Sequence, residues 1–352
     1  IGFMLYCFRG HSETGYHDAH LRLVMSIIVA CIVGFICGHS FQEMLAGMVE
    51  RLAASMEAVL ILATVGFLVT SFMLSGAIPT MIVYGLDLLT PKLFLPVGCI
   101  LCAIVGMACG SSWTTTATIG LAFLGIGAGL GIPAPITAGM IISGAYVGDK
   151  FSPLSDTTNL AAAVAETGLF DHVTAMVSTT GPTLLLSLIL YTILGLNVDT
   201  SAYDATVAEG IQEAFRGAFT ISPILLLPII VVIVMCILRV PGLVGIAVSV
   251  ATAVLFMLIF QSTDIFYSYS LGDIFDVLHY GNAVETGNAV ADSILGKAKG
   301  MDGMMWTINL ILVALAYGGA LERCGCIEKL FGGLKHKIHS VGSLILATLL
   351  TS

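Results

Sequence analysis

Charged residues are scarce in this chain of 352 residues, because Asp, Glu, Lys and Arg together make up only 10% of it. A soluble domain carries about a quarter, so this composition argues against one. Basic residues are rarer than acidic ones, 13 against 22, so the net charge is −9. Because binding to nucleic acid needs a basic surface, this charge excludes nucleic acid as a partner. With 57% apolar residues and a mean hydropathy of +1.02, the chain is that of a membrane protein. It has room for about ten bilayer spans.

The two cysteine pairs that a metal site needs at the right spacing are also missing. Cys99 and Cys102 form one close pair and Cys324 and Cys326 another, but neither has a second pair at the spacing of a metal site. Cys99 and Cys102 are one helical turn apart in an apolar run, so we expect them to pack as small hydrophobic residues. We predict no cofactor.

Long apolar runs dominate what is present. Residues 93–148 contain no charge, but polar or proline-rich sequence interrupts them at GSSWTTT (110–116) and GIPAP (131–135). The other uncharged runs are each long enough to cross about 30 Å of hydrocarbon, and backbone groups in lipid must be satisfied internally, which favours helices. The sequence therefore predicts an all-α polytopic membrane protein with helices in the runs 58–86, 173–198, 217–238, 240–263 and 303–321.

The few charges outside these runs predict how the chain is oriented in the membrane. Basic residues cluster in 323–340, and Arg239 lies between two apolar runs, so both should face the cytoplasm. The acid-rich segments 198–216 and 262–302 are expected to be loops on the opposite side. Residues 39–57, which carry several charges, are expected to form an interfacial helix.

A weak internal repeat is a further expectation. Residues 74–110 and 317–352 share a layout of a Gly-Ala pair, a short helix, a Lys-bearing loop and a run of small and apolar residues, although their identity is low. We interpret 1–352 as a single transmembrane domain, truncated at both ends because it lacks an initial methionine and stops inside an apolar run. The two repeats would then be 20–200 and the start of a second, 217–352.

The most polar interruption is GDKFSPLSDTTN, residues 148–159. Pro153 should unwind a helix here, because proline lacks a donor and clashes with the preceding turn. Carbonyls freed at membrane depth persist only where protein or a watery cavity satisfies them. The surrounding oxygen groups are the ligands that small, hard cations prefer. The candidate binding residues are Asp149, Ser152, Ser155, Asp156, Thr157, Thr158 and Asn159, with Na⁺ held by Asp149, Asp156 and Asn159.

Other interpretations of these residues stay open. The block 148–159 is also compatible with a solvated loop whose Ser155 or Asp156 caps the next helix. Lys150 is either a counter-charge for an empty aspartate or a side chain that reaches the membrane interface. The GSSWTTT hydroxyls either bond to carbonyls of their own helix or add neutral ligands to the site. The hydroxyl residues concerned are Ser111, Ser112, Thr114 and Thr115.

GSSWTTTATIG, GIPAPITAGMIISGAYVGDKFSPLSDTTNLAAAVA and the FDHV link together resemble the NhaC-type Na⁺/H⁺ antiporters of bacterial membranes, from about residue 20 to the end. The resemblance implies an inverted-repeat transporter with discontinuous helices in the bacterial cytoplasmic (inner) membrane, with Na⁺ and H⁺ as transported ions. A second set of site residues is expected from the other repeat. By motif position the resemblance covers the seven candidates of 149–159 and, in the earlier motif, Ser111, Ser112, Trp113, Thr114 and Thr115.

Three functions follow from these observations. The first is a secondary antiporter, not an enzyme, in which Na⁺ and H⁺ compete at Asp149 and Asp156. The second adds a small organic acid, such as malate or lactate, or an amino acid, although neither break contains an arginine to bind a carboxylate. The third is an intramembrane aspartyl hydrolase that uses the same two aspartates. The expected partners are Na⁺, H⁺, an organic acid in the second case, and the lipid bilayer; a homodimer is compatible with the sequence.

Overall fold

The computed structural model describes residues 19–152, 155, 157–158, 161–162, 167–197, 205–238, 240–261, 271–281, 284–296, 298–326 and 328–329. Within these ranges all regular structure is helical and no strand occurs. The predicted all-α class is confirmed.

The first half of the chain contains helices α1 (Ala19–Ile36), α2 (Phe41–Ala54), α3 (Met56–Leu74), α4 (Ala77–Leu88), α5 (Pro91–Cys109), α6 (Ser112–Thr115), a π-helical turn (Thr116–Gly120), α7 (Leu121–Gly129) and α8 (Ala134–Phe151). The second half contains α9 (Leu169–Leu196), α10 (Ala205–Ala218), a 3₁₀ turn (Pro223–Leu226), α11 (Leu227–Ile237), α12 (Gly242–Phe260), α13 (Leu271–Tyr280), α14 (Ala289–Leu295) and α15 (Asp302–Arg323).

Both interruptions predicted within residues 93–148 are present. Gly110 ends α5 with φ +64°, and Gly131 follows α7 with φ +71°. This left-handed backbone costs glycine little because it has no Cβ, which is why helices commonly stop at such a residue. The uncharged stretch is therefore divided at the places that the sequence indicated.

Two apolar runs that we expected to be continuous are broken instead. The run 58–86 is divided at Gly76, whose φ is +80°. The run 217–238 is divided before Pro223, where the two helical segments meet at 90°. As a result, among the described residues three helices (Leu169–Leu196, Leu243–Phe260 and Asp302–Arg323) are long and apolar enough to cross a membrane, or up to five when two bent helix pairs each count as one span.

The acid-rich segments are also more ordered than expected. Residues 205–218, part of a predicted loop, form helix α10, because its apolar residues recur at helical spacing and are buried, namely Ala208, Ile211, Phe215 and Ala218. The predicted loop 262–302 contains α13 and α14. A helix is present in residues 39–57, as expected, and it is α2, which begins with a capping box between Ser40 and Glu43. Its interfacial position remains a prediction.

The chain divides into two compact units, Ile1–Leu60 with Met305–Ser352, and Ile61–Met304. In the first unit, α2 and α15 approach closely at Gly47 and Gly319, and reciprocal ion pairs join Arg51 to Glu322 and Arg323 to Glu50. The second unit has an apolar core formed mainly by α3–α5, α7 and α8, with contributions from α10–α12 and α14. Cys99 and Cys102 are fully buried in this core, so their predicted packing role is confirmed.

Direct backbone contact between α5 and α8 positions the candidate site. A Cβ atom at Gly148 would collide with the carbonyl oxygen of Ala103, and one at Gly144 with the carbonyl oxygen of Cys99. Small residues let membrane helices approach this closely. Because Asp149 directly follows Gly148, the packing brings its carboxylate beside the end of α5.

Candidate ion-binding site

The first half of the site is the break between α5 and α6. Ser111 is the N-cap of α6, where its hydroxyl accepts hydrogen bonds from the backbone N–H and the hydroxyl of Thr114 at 3.3 and 3.2 Å. The Thr115 hydroxyl donates to the carbonyl oxygen of Ser111 at 2.9 Å. The hydroxyls of Thr114 and Thr115 thus bond within their own helix and its cap, which is the first of the two roles considered for them. Their second role, as neutral ligands of an ion, remains a prediction.

A π-helical turn, Thr116–Gly120, follows α6 directly. Such turns are rare and are frequent at functional sites. Thr118 within it is buried and donates to the carbonyl oxygen of Thr114 at 2.7 Å.

The second half of the site is the end of α8. Asp149 lies in the last turn of this helix with only 6% of its surface exposed. The helix stops at Phe151, and Ser152 is extended, with φ −84° and ψ 124°. This conformation is the one that a residue preceding proline favours, so Pro153 explains the end of the helix from the sequence alone.

One hydrogen bond joins the two halves. The hydroxyl of Ser112 donates to Oδ2 of Asp149 at 3.2 Å, and both residues are buried. A buried carboxylate needs a partner because its desolvation is costly. Two residues that are 37 positions apart in sequence are therefore brought together where two helices are interrupted.

The residues after α8 fold back toward Asp149. The carbonyl oxygen of Asp149 accepts from the N–H of Ser152 at 3.1 Å and from the hydroxyl of Thr158 at 3.4 Å. The hydroxyls of Ser155 and Thr157 are 3.0 Å apart, and Ser155 also accepts from the N–H of Thr158 at 3.4 Å. Ser152, Ser155 and Thr158 are buried, whereas Thr157 is exposed.

Lys150 contacts the polar segment that follows α8. Its ammonium group donates to the Thr157 hydroxyl at 3.0 Å. Asp156 and Asn159 lie outside the described residues, so the prediction that they hold Na⁺ with Asp149 remains a prediction.

The donor set suits a monovalent hard cation. Among the described residues, no group of three or more His, Cys, Asp or Glu side chains could hold a metal ion. Calcium sites use several carboxylates, whereas here one buried carboxylate accepts from the Ser112 hydroxyl and its backbone carbonyl accepts from the Thr158 hydroxyl. The end of α8 adds the negative end of a helix dipole, which favours a cation.

The close approach of α5 and α8 was not predicted, although the sequence contains a signal for it. Gly144 and Gly148 form the pattern G-x-x-x-G within GAYVG, which is typical of closely packed membrane helices. This pattern, and not the polar residues, places Asp149 opposite Ser112.

Comparison with known proteins identifies the family. The profile of the Na⁺/H⁺ antiporter family matches residues 144–352. The chain is 34% identical over 335 residues to the Na⁺/H⁺ antiporter NhaC of Alkalihalophilus pseudofirmus, covering 95% of this chain and 71% of that relative. The chain belongs to the Na⁺/H⁺ antiporter family. No solved structure matches it significantly.

Other similar proteins carry different names. The malate-2H⁺/Na⁺-lactate antiporter of Bacillus subtilis is 32% identical over 332 residues, with 94% of this chain and 69% of the relative covered. The arginine/ornithine antiporter ArcD of Halobacterium salinarum is 34% identical over 336 residues, with 95% and 68% covered. Membership makes this protein a multi-pass membrane transporter and not an enzyme, which removes the basis for an aspartyl hydrolase.

Proposed function

We propose that this antiporter exchanges Na⁺ for H⁺ across the bacterial cytoplasmic membrane, with Asp149 as the group that carries either ion. The observation that carries the proposal is the hydrogen bond from Ser112 to the buried Asp149 carboxylate at the meeting of two helix breaks. An ionisable residue buried in a membrane protein is costly and typically marks an ion path.

The chemistry is a competition for one negative charge. A proton or a sodium ion can each neutralise a buried carboxylate, and binding of one excludes the other. Hydroxyl oxygens around Asp149 supply neutral ligands that replace part of the hydration shell of Na⁺. Because only one ion is carried at a time, alternating exposure of the site to the two sides produces exchange and not leakage.

The discontinuous helices supply the rest of the mechanism. In secondary transporters such helices hold ions near the middle of the bilayer, and movement of one repeat against the other alternates access. We propose that Asp156 and Asn159 complete the Na⁺ site and that residues 20–200 and 217–352 belong to the two repeats. The alternation is expected to carry Asp149 between the two sides of the membrane.

Sodium-dependent proton release from everted membrane vesicles tests this proposal. We expect Asp149→Asn to abolish the exchange, because an amide cannot take up a proton or pair with Na⁺, and Asp156→Asn to abolish or strongly reduce it. The matched control is Asp171→Asn, which neutralises an exposed aspartate in the first turn of α9. Exchange by Asp149→Asn at the rate of this control would rule out Asp149 as the carrier.

A second candidate function is exchange of an organic acid or amino acid coupled to these ions. It is favoured by Lys150, which follows Asp149 in the sequence and whose ammonium group donates to the Thr157 hydroxyl. A lysine can bind the carboxylate of such a solute. Two relatives carry malate, lactate, arginine or ornithine in their names, which makes these solutes suitable probes.

Solute-stimulated Na⁺ flux in proteoliposomes separates the two functions. If an organic solute is exchanged, malate, lactate, arginine or ornithine will stimulate flux in the unmodified protein, and Lys150→Met will remove the stimulation while leaving Na⁺/H⁺ exchange intact. Flux that none of these solutes changes would favour Na⁺/H⁺ exchange alone.

A further inference from the structure

A second polar junction lies in the unit Ile61–Met304, apart from the Asp149 site. Here the break between α3 and α4 at Gly76 lies beside the right-angled break between α10 and the 3₁₀ turn at Pro223. Each break leaves backbone N–H and carbonyl groups without their helical partners. In a membrane protein these groups must be satisfied by other parts of the protein.

Gln261 satisfies such groups in both breaks. It follows the last residue of α12 and is 1% exposed. Its amide nitrogen donates to the carbonyl oxygens of Ser75 at 3.0 Å and Thr220 at 3.2 Å. Its amide oxygen accepts from the N–H of Thr220 at 2.9 Å. Both donor hydrogens and the acceptor of one side chain are thus used, which suits a primary amide.

The junction is also closely packed. A Cβ atom at Gly76 would collide with the amide nitrogen of Gln261, so the glycine permits both the left-handed backbone and the approach of the amide. The Thr220 hydroxyl donates to the carbonyl oxygen of Phe260 at 2.9 Å, which adds a link to the end of α12. Three helical segments are therefore held at one point.

One buried group at the junction is not satisfied in this conformation. The hydroxyl of Thr80, in the first turn of α4, is fully buried and has no hydrogen-bond partner within the described part of the chain. Buried hydroxyls normally have a partner, and each exception calls for an explanation, such as strain or a functional role. A rearrangement that brings a donor or acceptor to Thr80 would satisfy this group.

We propose that Gln261 is a positioning residue for antiport, which couples the bend at Gly76 to the bend before Pro223 so that the two broken helices rearrange together. It contacts no transported ion and acts through the backbone of Ser75 and Thr220. Thr80 gains its hydrogen-bond partner in the alternative arrangement. This inference rests on the transport activity of the family and does not require Asp149 to be the carrier.

The test compares turnover with ion affinity in purified, reconstituted protein, normalised to the folded fraction. We expect Gln261→Leu to lower the maximal exchange rate roughly tenfold, the effect of losing about one net hydrogen bond in a rate-limiting rearrangement, with the KM for Na⁺ unchanged. The matched control is Gln212→Leu. Gln212 also links α10 to α4, through the carbonyl oxygen of Val83 at 3.0 Å and Asp87 at 2.8 Å, but within continuous helix.

A second variant keeps the proposal testable if Gln261→Leu does not fold. Gln261→Glu is nearly isosteric, and its carboxyl group can donate a hydrogen bond only when protonated. We therefore expect its exchange rate, relative to the unmodified protein at the same pH, to recover as the pH falls. A ratio that does not vary with pH would overturn the proposal, and so would a normal maximal rate in folded Gln261→Leu.

The same measurements separate this proposal from the ion assignment. Loss of exchange in Gln261→Leu with normal exchange in Asp149→Asn would support the positioning role and refute the carrier role of Asp149. We also expect Thr80→Val to slow exchange without weakening the fold, because the valine removes the bond formed in the alternative arrangement. Exchange at the normal rate in Thr80→Val would refute the second arrangement.

Discussion

Replacing Ser112 by alanine tests the geometry of the candidate site most directly. The change removes the hydroxyl that donates to Asp149 but keeps helix α6, since Ser111 and not Ser112 provides its cap. Under the proposed function, the ionised carboxylate loses a donor that stabilises its charge, and a bound Na⁺ would lose a neutral oxygen ligand. Both losses weaken Na⁺ binding relative to proton binding, so the apparent affinity for Na⁺ should fall.

The distance sets the size of the effect. Hydroxyl hydrogen bonds are most often about 2.7–2.8 Å long, whereas the Ser112–Asp149 distance is 3.2 Å. We therefore take the lower end of the range for bonds to charged groups, about 1.5 kcal/mol. Since about 1.4 kcal/mol corresponds to a factor of ten, the KM for Na⁺ should rise roughly tenfold at fixed pH.

The assay is sodium-dependent proton release from everted vesicles over a range of Na⁺ concentrations. Ser143→Ala is the matched control, because Ser143 lies on α8, the helix that carries Asp149, and its hydroxyl contacts the Gly139 carbonyl oxygen at 2.8 Å and the Tyr191 hydroxyl at 2.9 Å. An equal KM in the two serine variants would refute the reasoning, because the bond to Asp149 would then contribute nothing to ion binding.

Two further predictions concern helix packing and acid stability. Gly148→Ala should destabilise the fold by about 1–3 kcal/mol and reduce exchange, because the new methyl group meets the Ala103 carbonyl oxygen. Thermal unfolding measures the loss of stability. The control is Gly139→Ala, where a Cβ meets only the Tyr191 hydroxyl at 3.5 Å. Hydrogen bonds from the backbone N–H and hydroxyl of Thr286 lower the pKa of Asp292. The lowered pKa means that the ionised Asp292 carboxylate stabilises the folded state. This stabilisation is present above the unfolded-state pKa of about 3.9 and disappears as the pH falls through the lower folded pKa. Asp292→Asn should therefore melt below the unmodified protein at neutral pH but not in strong acid.

The local features of the fold were predictable because they depend on residues close in sequence. Gly110 and Gly131 interrupt long apolar runs, and Pro153 ends α8, since glycine and proline restrict the backbone wherever they occur. The break at Gly76 was indicated only by the layout of the weak repeat, in which a short helix follows the Gly-Ala pair. The hydropathy did not indicate it, because membrane helices tolerate glycine and Ser75-Gly76 lies inside an uncharged run. There the contact with Gln261, 186 residues after Ser75, favours the broken form.

The candidate site was predictable in its composition but not in its pairing. The sequence indicated that Asp149 and Ser112 belong to polar breaks. Which hydroxyl reaches the carboxylate depends on the contact between α5 and α8, which sets the rotation and depth of both helices. Thr114 and Thr115 are as polar as Ser112, yet their hydroxyls bond within the broken helix itself.

The two junctions of the unit Ile61–Met304 differ in the kind of group that each contains. The first contains Asp149, whose charge changes when a proton replaces Na⁺ under our proposal. The second contains Gln261, which binds backbone groups with a similar geometry but does not titrate. An exchanger needs its carrier group to respond to pH, while the hydrogen bonds that hold its broken helices together stay constant over the same pH range. A glutamate in place of Gln261 would lose its donor on ionisation and make the joint itself depend on pH. The amide therefore suits a joint that must hold whether or not the carrier is protonated.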